Sequence, residues 1–156
     1  MSKVFSLKRV QEIPITIDEA WEFFSTPHNL ERITPNDIKF SIIGDKEEKK
    51  MYAGQMISYI IKPILGIPIY WLTEITHVNE PYYFTDEQRV GPYKLWHHQH
   101  HFKSIENGVE MIDIVHYRMP LGFIGRFANA LFIRKKLHNI FKYRQKTIEE
   151  HFGKMP

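Results

Sequence analysis

Apolar positions recur at two different periods along this chain, and the change of period divides it. From Lys3 to Ile13, the residues Val4, Phe5, Leu7, Val10 and Ile13 alternate imperfectly with polar ones, which predicts a strand. Thr16 followed by Glu19 then makes a capping box, and Asp18 and Glu19 fall in a first turn, where the helix dipole favours acids. Ala20, Trp21, Phe23 and Phe24 give this helix an apolar side, and Pro27 is expected to end it. A second short helix is predicted from His28 to Ile33, stopped by Thr34-Pro35. Strands are then predicted over Ile38–Ile43, Gly54–Ile61, Ile67–Val78, Tyr83–Val90, Leu95–Ile105 and Val109–Met119. Turn residues separate them: Gly44-Asp45 with the charged run "KEEKK", Pro63–Gly66, Glu80-Pro81, Gly91-Pro92 and Asn107-Gly108. After Gly122 and Gly125 the period becomes helical. Ala130, Ile133, Leu137, Ile140, Phe141 and Ile148 predict a helix from Gly125 to His151, roughly 40 Å long at 1.5 Å per residue.

The predicted order is strand, two short helices, six strands and one long helix, an α+β pattern. No repeat, low-complexity run or linker interrupts it, so residues 1–156 are expected to form one domain. A long antiparallel sheet with one long helix must bury that helix against one face. If the sheet curves, the space between them becomes a cavity.

Chemistry concentrates on the sixth strand, where His97, His98, His100 and His101 surround Gln99. Side chains alternate across a strand, so Trp96, His98, His100 and Phe102 share one face, and His97, Gln99, His101 and Lys103 share the other. The first set is framed by aromatics and should face the helix. The second is polar and should face water. On the next strand Met111, Asp113, Val115, Tyr117 and Met119 share a face. Counting symmetrically about an Asn107-Gly108 turn sets Phe102 opposite Asp113, His100 opposite Val115 and His98 opposite Tyr117, with Asp113 diagonal to His100. Three readings of His98, His100 and Asp113 follow: mutually satisfied buried polar groups, the polar end of a ligand pocket, or a metal or general-base site. Trp71, Thr73 and Ile75 share a face of their strand, as do Phe84, Asp86, Gln88 and Val90. Asp86 and Gln88 either bond neighbouring strands or tune the same pocket, and Tyr93 could edge its mouth.

Composition narrows the partners. The chain has 156 residues and no cysteine, which excludes disulfides, thiolate nucleophiles and Cys-ligated zinc and fits a cytoplasmic location. The N-terminus lacks an apolar run of signal-peptide type. The apolar stretch Ile57–Leu72 contains Lys62, Pro63 and Pro68 and is too short to span a bilayer as a helix. A net charge of +3 is too mild to suggest nucleic acid. Eight of the basic residues lie between Arg126 and Lys154. Arg134, Lys135, Lys136 and Lys142 read as a solvated helix face or as a weak attraction to a membrane surface. Ile64, Leu65 and Ile67 read as a turn packed on the long helix, or as an exposed lid or docking patch. There is no P-loop, GxGxxG, GxSxG or HExxH.

The element order resembles the helix-grip fold of the START-like, or SRPBCC, superfamily, over nearly the whole chain. That group includes birch-pollen-allergen-type proteins, lipid-transfer domains and polyketide cyclases/dehydratases. The motifs Trp71, Phe84-Thr85-Asp86-Glu87-Gln88, Gly91-Pro92-Tyr93, Trp96-x-His98-x-His100-x-Phe102, Asp113-x-Val115-x-Tyr117 and Pro120 are similar to those of a bacterial polyketide-cyclase-like ligand-binding branch. The resemblance implies a curved seven-stranded sheet around the C-terminal helix. It also implies a mostly apolar cavity for a lipid, polyketide or isoprenoid-like molecule, with no cofactor or metal. Cavity contacts are then expected from Trp71 and Thr73, from Phe84, Asp86 and Gln88, and from Trp96, His98, His100 and Phe102. Asp113, Val115 and Tyr117 would add to them, with Leu137 and Phe141 from the helix. The alternatives are a cyclase/dehydratase-like enzyme using His98, His100 or Asp113 as acid/base with Tyr117 as donor, and a protein-interaction module using the same groove.

Overall fold

A computed structural model describes residues 3–44, 50–63 and 65–156. Most of the charged turn, 46–49, and Ile64 lie outside the described residues. The chain forms β1 (Phe5–Ile13), α1 (Ile17–Phe24), α2 (Pro27–Arg32), a 3-10 turn (Asn36–Ile38), β2 (Ser41–Ile43), β3 (Met56–Ile61), β4 (Ile69–Asn79), β5 (Tyr83–Val90), β6 (Leu95–Ile105) and β7 (Gly108–Arg118). A helix in three segments closes it: α3 (Gly122–Ala128), a π-helical turn (Asn129–Ile133) and α4 (Arg134–Phe152). All strand pairs are antiparallel, in the order β1-β7-β6-β5-β4-β3-β2. The long C-terminal helix packs on the inner face of this sheet.

The capping box forms as the sequence dictates. The Glu19 amide donates to Thr16 Oγ1 at 3.2 Å and the Thr16 amide donates to Glu19 Oε2 at 2.8 Å. Pro27 does not merely end α1. It opens α2, where a missing N–H is harmless and the fixed φ suits the first turn. The strand expected over Ile38–Ile43 is shorter, because Asn36–Ile38 winds into a 3-10 turn and Lys39 takes a positive φ of 47°.

Two predicted features change in ways that matter. The β6–β7 loop is Glu106-Asn107, not Asn107-Gly108. Asn107 takes the left-handed conformation (φ 64°), and Gly108 pairs with Ile105 as the first residue of β7. Gly108 is needed for close approach: a Cβ there would sit 2.3 Å from the Ile13 carbonyl oxygen. The slip moves every β7 partner by two positions. His100 therefore faces Asp113 directly, His98 faces Val115, and Trp96 faces Tyr117. Because the slip is even, each side chain keeps its predicted face.

The long helix starts earlier than expected and is not uniform. Its inward residues are Gly125, Asn129, Ile133, Leu137 and Phe141, all four apart. Four such steps would carry a pure α-helix about 160° around its axis at 100° per residue. The π turn absorbs that drift. It also buries Asn129 and leaves Ala130, an expected core position, exposed. Gly125 sits where a Cβ would meet the Pro120 carbonyl oxygen at 1.9 Å, so the helix start can lie directly on the end of β7.

Two apolar clusters anchor helices to sheet. Under α1, Trp21 meets Phe84 and Phe102 edge-on at 5.9 and 6.2 Å, with Ile13, Val109 and Ile148 completing the cluster. Under α4, Leu137 and Phe141 pack on Val115 and Tyr117.

Candidate functional site

A cavity of about 260 Å³ lies between the two clusters, under α4 and against the inner faces of β3 to β6. Much of its wall is aromatic. Tyr59 stacks on Trp71 at 5.8 Å, Trp71 meets Trp96 edge-on at 5.4 Å, and Tyr93 lies 4.9 Å from Trp96. Leu30, Phe40, Ile57, Ile69, Ile133, Leu137 and Phe141 supply apolar surface. The polar atoms of this wall are mostly spoken for. Thr73 Oγ1 accepts from the Trp71 indole at 3.0 Å and is 2.8 Å from the Tyr59 hydroxyl. Burial and the nearby Asp86 charge push the Tyr59 phenol upward, and burial does the same to Tyr93, so both stay neutral.

Polar groups converge at one corner. Asp86, His98 and His100 line the cavity, and Asp113 lies beneath the two rings with 3% exposure. His98 Nε2 bonds Asp113 Oδ1 at 2.9 Å, and His100 Nδ1 lies 2.9 Å from the same oxygen. His100 Nε2 bonds Asp86 Oδ2 at 2.9 Å, while His98 Nδ1 is 3.5 Å from it. The imidazole of His100 stacks on Phe84 at 4.1 Å. Burial alone would lower the His100 pKa, but the bonds and charges of Asp113 and Asp86 outweigh it and hold the ring above its ordinary value. Burial and the neighbouring His100 lower His98. Burial would raise both carboxyls, yet the imidazoles hold Asp113 and Asp86 below the usual carboxylate range.

Arg144, on α4, reaches the same cavity. Its guanidinium lies 5.0 Å over the Phe141 ring, and its buried Nε has no hydrogen-bond partner among the described residues. Burial lowers its pKa, with Asp113 and Asp86 acting in the opposite sense. The sequence reading counted Arg144 only among the basic residues of the helix. The signal was present: Leu137, Phe141, Arg144 and Ile148 follow one helical stripe.

Of the residues expected at the cavity, Trp71, Thr73, Phe84, Asp86, Trp96, His98, His100, Leu137 and Phe141 line it. Five lie elsewhere. The Gln88 side chain turns to the Gly91–Tyr93 turn, donating to the Tyr93 carbonyl at 2.6 Å and accepting from the Tyr93 amide at 3.1 Å. Phe102 is sealed under α1, stacked on Phe24 at 5.6 Å. Val115 and Tyr117 are covered by α4, and the Tyr117 hydroxyl donates to Asn129 Oδ1 at 2.9 Å. Asp113 is roofed by the two imidazoles because the register sets it opposite His100. On the other face, His97 bonds Glu87 at 2.8 Å, and Gln99 links His97 to His101. Alternation thus divides the four histidines into two pairs with different surroundings.

No family model matches this chain, and no curated protein matches it. Solved structures do. Ginseng major latex-like protein 151 from Panax ginseng is 17% identical, with a TM-score of 0.67 over 96% of this chain and 97% of that one. Ara h 8.0201 is 12% identical, with a TM-score of 0.62 over 95% and 99%. Protein Ms6760 from Mycobacterium smegmatis is 13% identical, with a TM-score of 0.65 over 94% and 92%. These likenesses show the fold: a seven-stranded antiparallel sheet curved around a long C-terminal helix, the helix-grip arrangement. Among the described residues, no helix is long and apolar enough to cross a membrane.

Proposed function

We propose that this protein binds a small, mainly apolar molecule carrying one hydrogen-bond-accepting group, in the cavity between sheet and C-terminal helix. The observation that carries the reading is the wall itself: aromatic and aliphatic on most sides, with Asp86, His98, His100 and Arg144 gathered at one corner. Pockets of this make-up bury an apolar body and use a few polar groups to orient it. The Arg144 guanidinium, which borders the same corner, supplies N–H donors for such a group. Native mass spectrometry of freshly purified protein, followed by denaturation and analysis of what is released, tests this. A lipid, polyketide or isoprenoid-like molecule at one per chain supports it. An empty protein that also fails to take up apolar fluorescent probes overturns it.

The molecule is loaded, in this reading, at a membrane surface. Leu121 just before α3, and Phe123, Ile124, Phe127, Leu131 and Phe132 on α3 and the π turn, are exposed, Phe123 at 72% and Phe127 at 67%. Arg134, Lys135 and Lys136 follow at once. Apolar residues beside basic ones suit an anionic bilayer. Lys136 also donates to the Pro63 carbonyl, so this segment meets the β3–β4 turn, where Leu65 and Ile67 are exposed. Ile133, Lys136 and Pro63 are at the same time cavity-wall residues.

A second reading has the same corner catalyse a reaction of cyclase or dehydratase type. His98 or His100 would move the proton with Asp113 holding the rings. Tyr117 contributes no donor in that reading, because its hydroxyl is already given to Asn129.

A further inference from the structure

The two carboxylates at the polar corner are not equivalent. Asp113 is buried below the rings and presents one oxygen, Oδ1, to both of them, at 2.9 Å from His98 Nε2 and 2.9 Å from His100 Nδ1. In a neutral ring, a carboxylate that takes one nitrogen as N–H leaves the other nitrogen with its lone pair outward. Those outward nitrogens are His98 Nδ1 and His100 Nε2, and both face Asp86 Oδ2, at 3.5 and 2.9 Å. Two ring lone pairs and a carboxylate oxygen thus crowd together at the cavity wall. Such an arrangement is repulsive unless a cation, proton or metal, lies among them.

We propose that Asp86, His98 and His100 form a three-ligand site for a divalent transition metal, with Asp113 orienting both imidazoles from behind. One ligand atom from each of the three residues falls within 4.8 Å of the other two. With metal–ligand bonds of about 2.0–2.1 Å, separations of 2.9 and 3.5 Å subtend angles of about 90° and 115°, the first close to the octahedral value and the second close to the tetrahedral one. Two imidazoles and one carboxylate suit Fe²⁺, Co²⁺ or Zn²⁺ rather than Ca²⁺ or Mg²⁺. Asp113 fills the outer role that metal-bound histidines require, holding the far ring nitrogen and fixing the tautomer. The site is built from neighbouring rigid strands: His98 and His100 on β6, Asp86 on β5 and Asp113 on β7. The two carboxylates balance the charge of a dication. Arg144 leaves one positive charge over, which favours an anionic group on any molecule that completes the coordination. The three ligand residues all border the cavity, so coordination positions not filled by protein open toward it.

The test is independent of whether an apolar molecule is bound. Protein stripped with chelator is titrated with Co²⁺ and followed by calorimetry and visible absorption. A single Co²⁺ per chain is expected, with ligand-field bands. Asp86→Asn and His98→Ala should weaken it by roughly 100-fold or more, and Asp113→Asn by about 10–100-fold with altered bands. Replacing both outer-face histidines, His97→Ala with His101→Ala, should leave it unchanged. Circular dichroism reports whether each variant is folded, and the near-isosteric Asp86→Asn keeps the test decisive if His98→Ala is not. Failure of the wild type to bind Co²⁺ stoichiometrically overturns the proposal. So does binding that survives Asp86→Asn but disappears with the outer-face pair. Either failure leaves apolar binding in the cavity standing, since that reading is tested by released or added organic molecules.

Discussion

At the scale of single residues, the polar corner makes stability depend on pH in two opposite senses. Asp113 has a folded pKa below its ordinary value of 3.8, so its contribution is present above 3.8 and is lost as pH falls through the folded value. His100 is raised above 6.5, so its contribution is full below 6.5 and is lost as pH rises through the folded value. Urea midpoints measured on metal-free protein should show this. Asp113→Asn should flatten the acid limb below pH 3.8, and His100→Gln should flatten the decline above 6.5. Unchanged limbs would mean that these groups are not linked to folding. Arg144 gives a separate prediction. A charge-assisted hydrogen bond is worth about 1.5–3 kcal/mol, so Arg144→Met should weaken an apolar carboxylate by about 10–100-fold while sparing its methyl ester. Equal loss for acid and ester would show that Arg144 acts by packing alone. The residue scale is also where alternation served the sequence reading best. His98 and His100 were separable from His97 and His101 by parity alone. Arg144 is legible only from its place on the stripe of Leu137, Phe141 and Ile148, a signal that the surrounding basic residues of the helix obscure.

At the scale of elements, caps and turns make the checkable claims. The Thr16 cap predicts that Thr16→Ala lowers unfolding free energy by about 1 kcal/mol, read from denaturant midpoints. The π turn predicts more. Asn129→Ala removes the acceptor of the Tyr117 hydroxyl, and leaving that donor buried and unpaired should cost about 1–3 kcal/mol. Restoring stability with the double variant Asn129→Ala, Tyr117→Phe would confirm the bond as the cause. The exposed face of α3 makes a functional claim: Phe123→Ser with Phe127→Ser should abolish sedimentation with anionic vesicles at low salt and leave the melting temperature unchanged. Continued sedimentation would remove the membrane from the proposed function. The bounds of β5 and β6 were legible from their turn residues and alternation. The β6–β7 register was not, since Asn107-Gly108 carries the dipeptide of a two-residue turn and only contact with Ile13 shows that Gly108 serves the sheet.

At the scale of the whole molecule, the fold trades a filled core for a cavity. A ligand that binds only the folded state stabilises it by about 2.7 kcal/mol at 100 times its Kd, which for a chain of this size raises the melting temperature by roughly 5–11 °C. Thermal melts of the protein with its released molecule added back should show that rise. Trp71 and Trp96 emission should change in the same titration, because both indoles border the cavity. A molecule that co-purifies but gives neither signal is attached elsewhere.

The sequence by itself determined the element order, the antiparallel character of the sheet, the long closing helix and the face on which each strand residue falls. These follow from local periodicity and turn chemistry, which act within a few residues. Only the tertiary structure decided which facing residues meet. It set Asp113 against His100 rather than beside it, turned Gln88 to the Tyr93 backbone, brought Asp86 of one strand to the histidines of the next and swung Arg144 into the cavity. Register and helix rotation are settled by close packing between distant segments: a glycine against a carbonyl, a π turn correcting a four-residue repeat. No local pattern encodes those contacts, and the chemistry of this site depends on them.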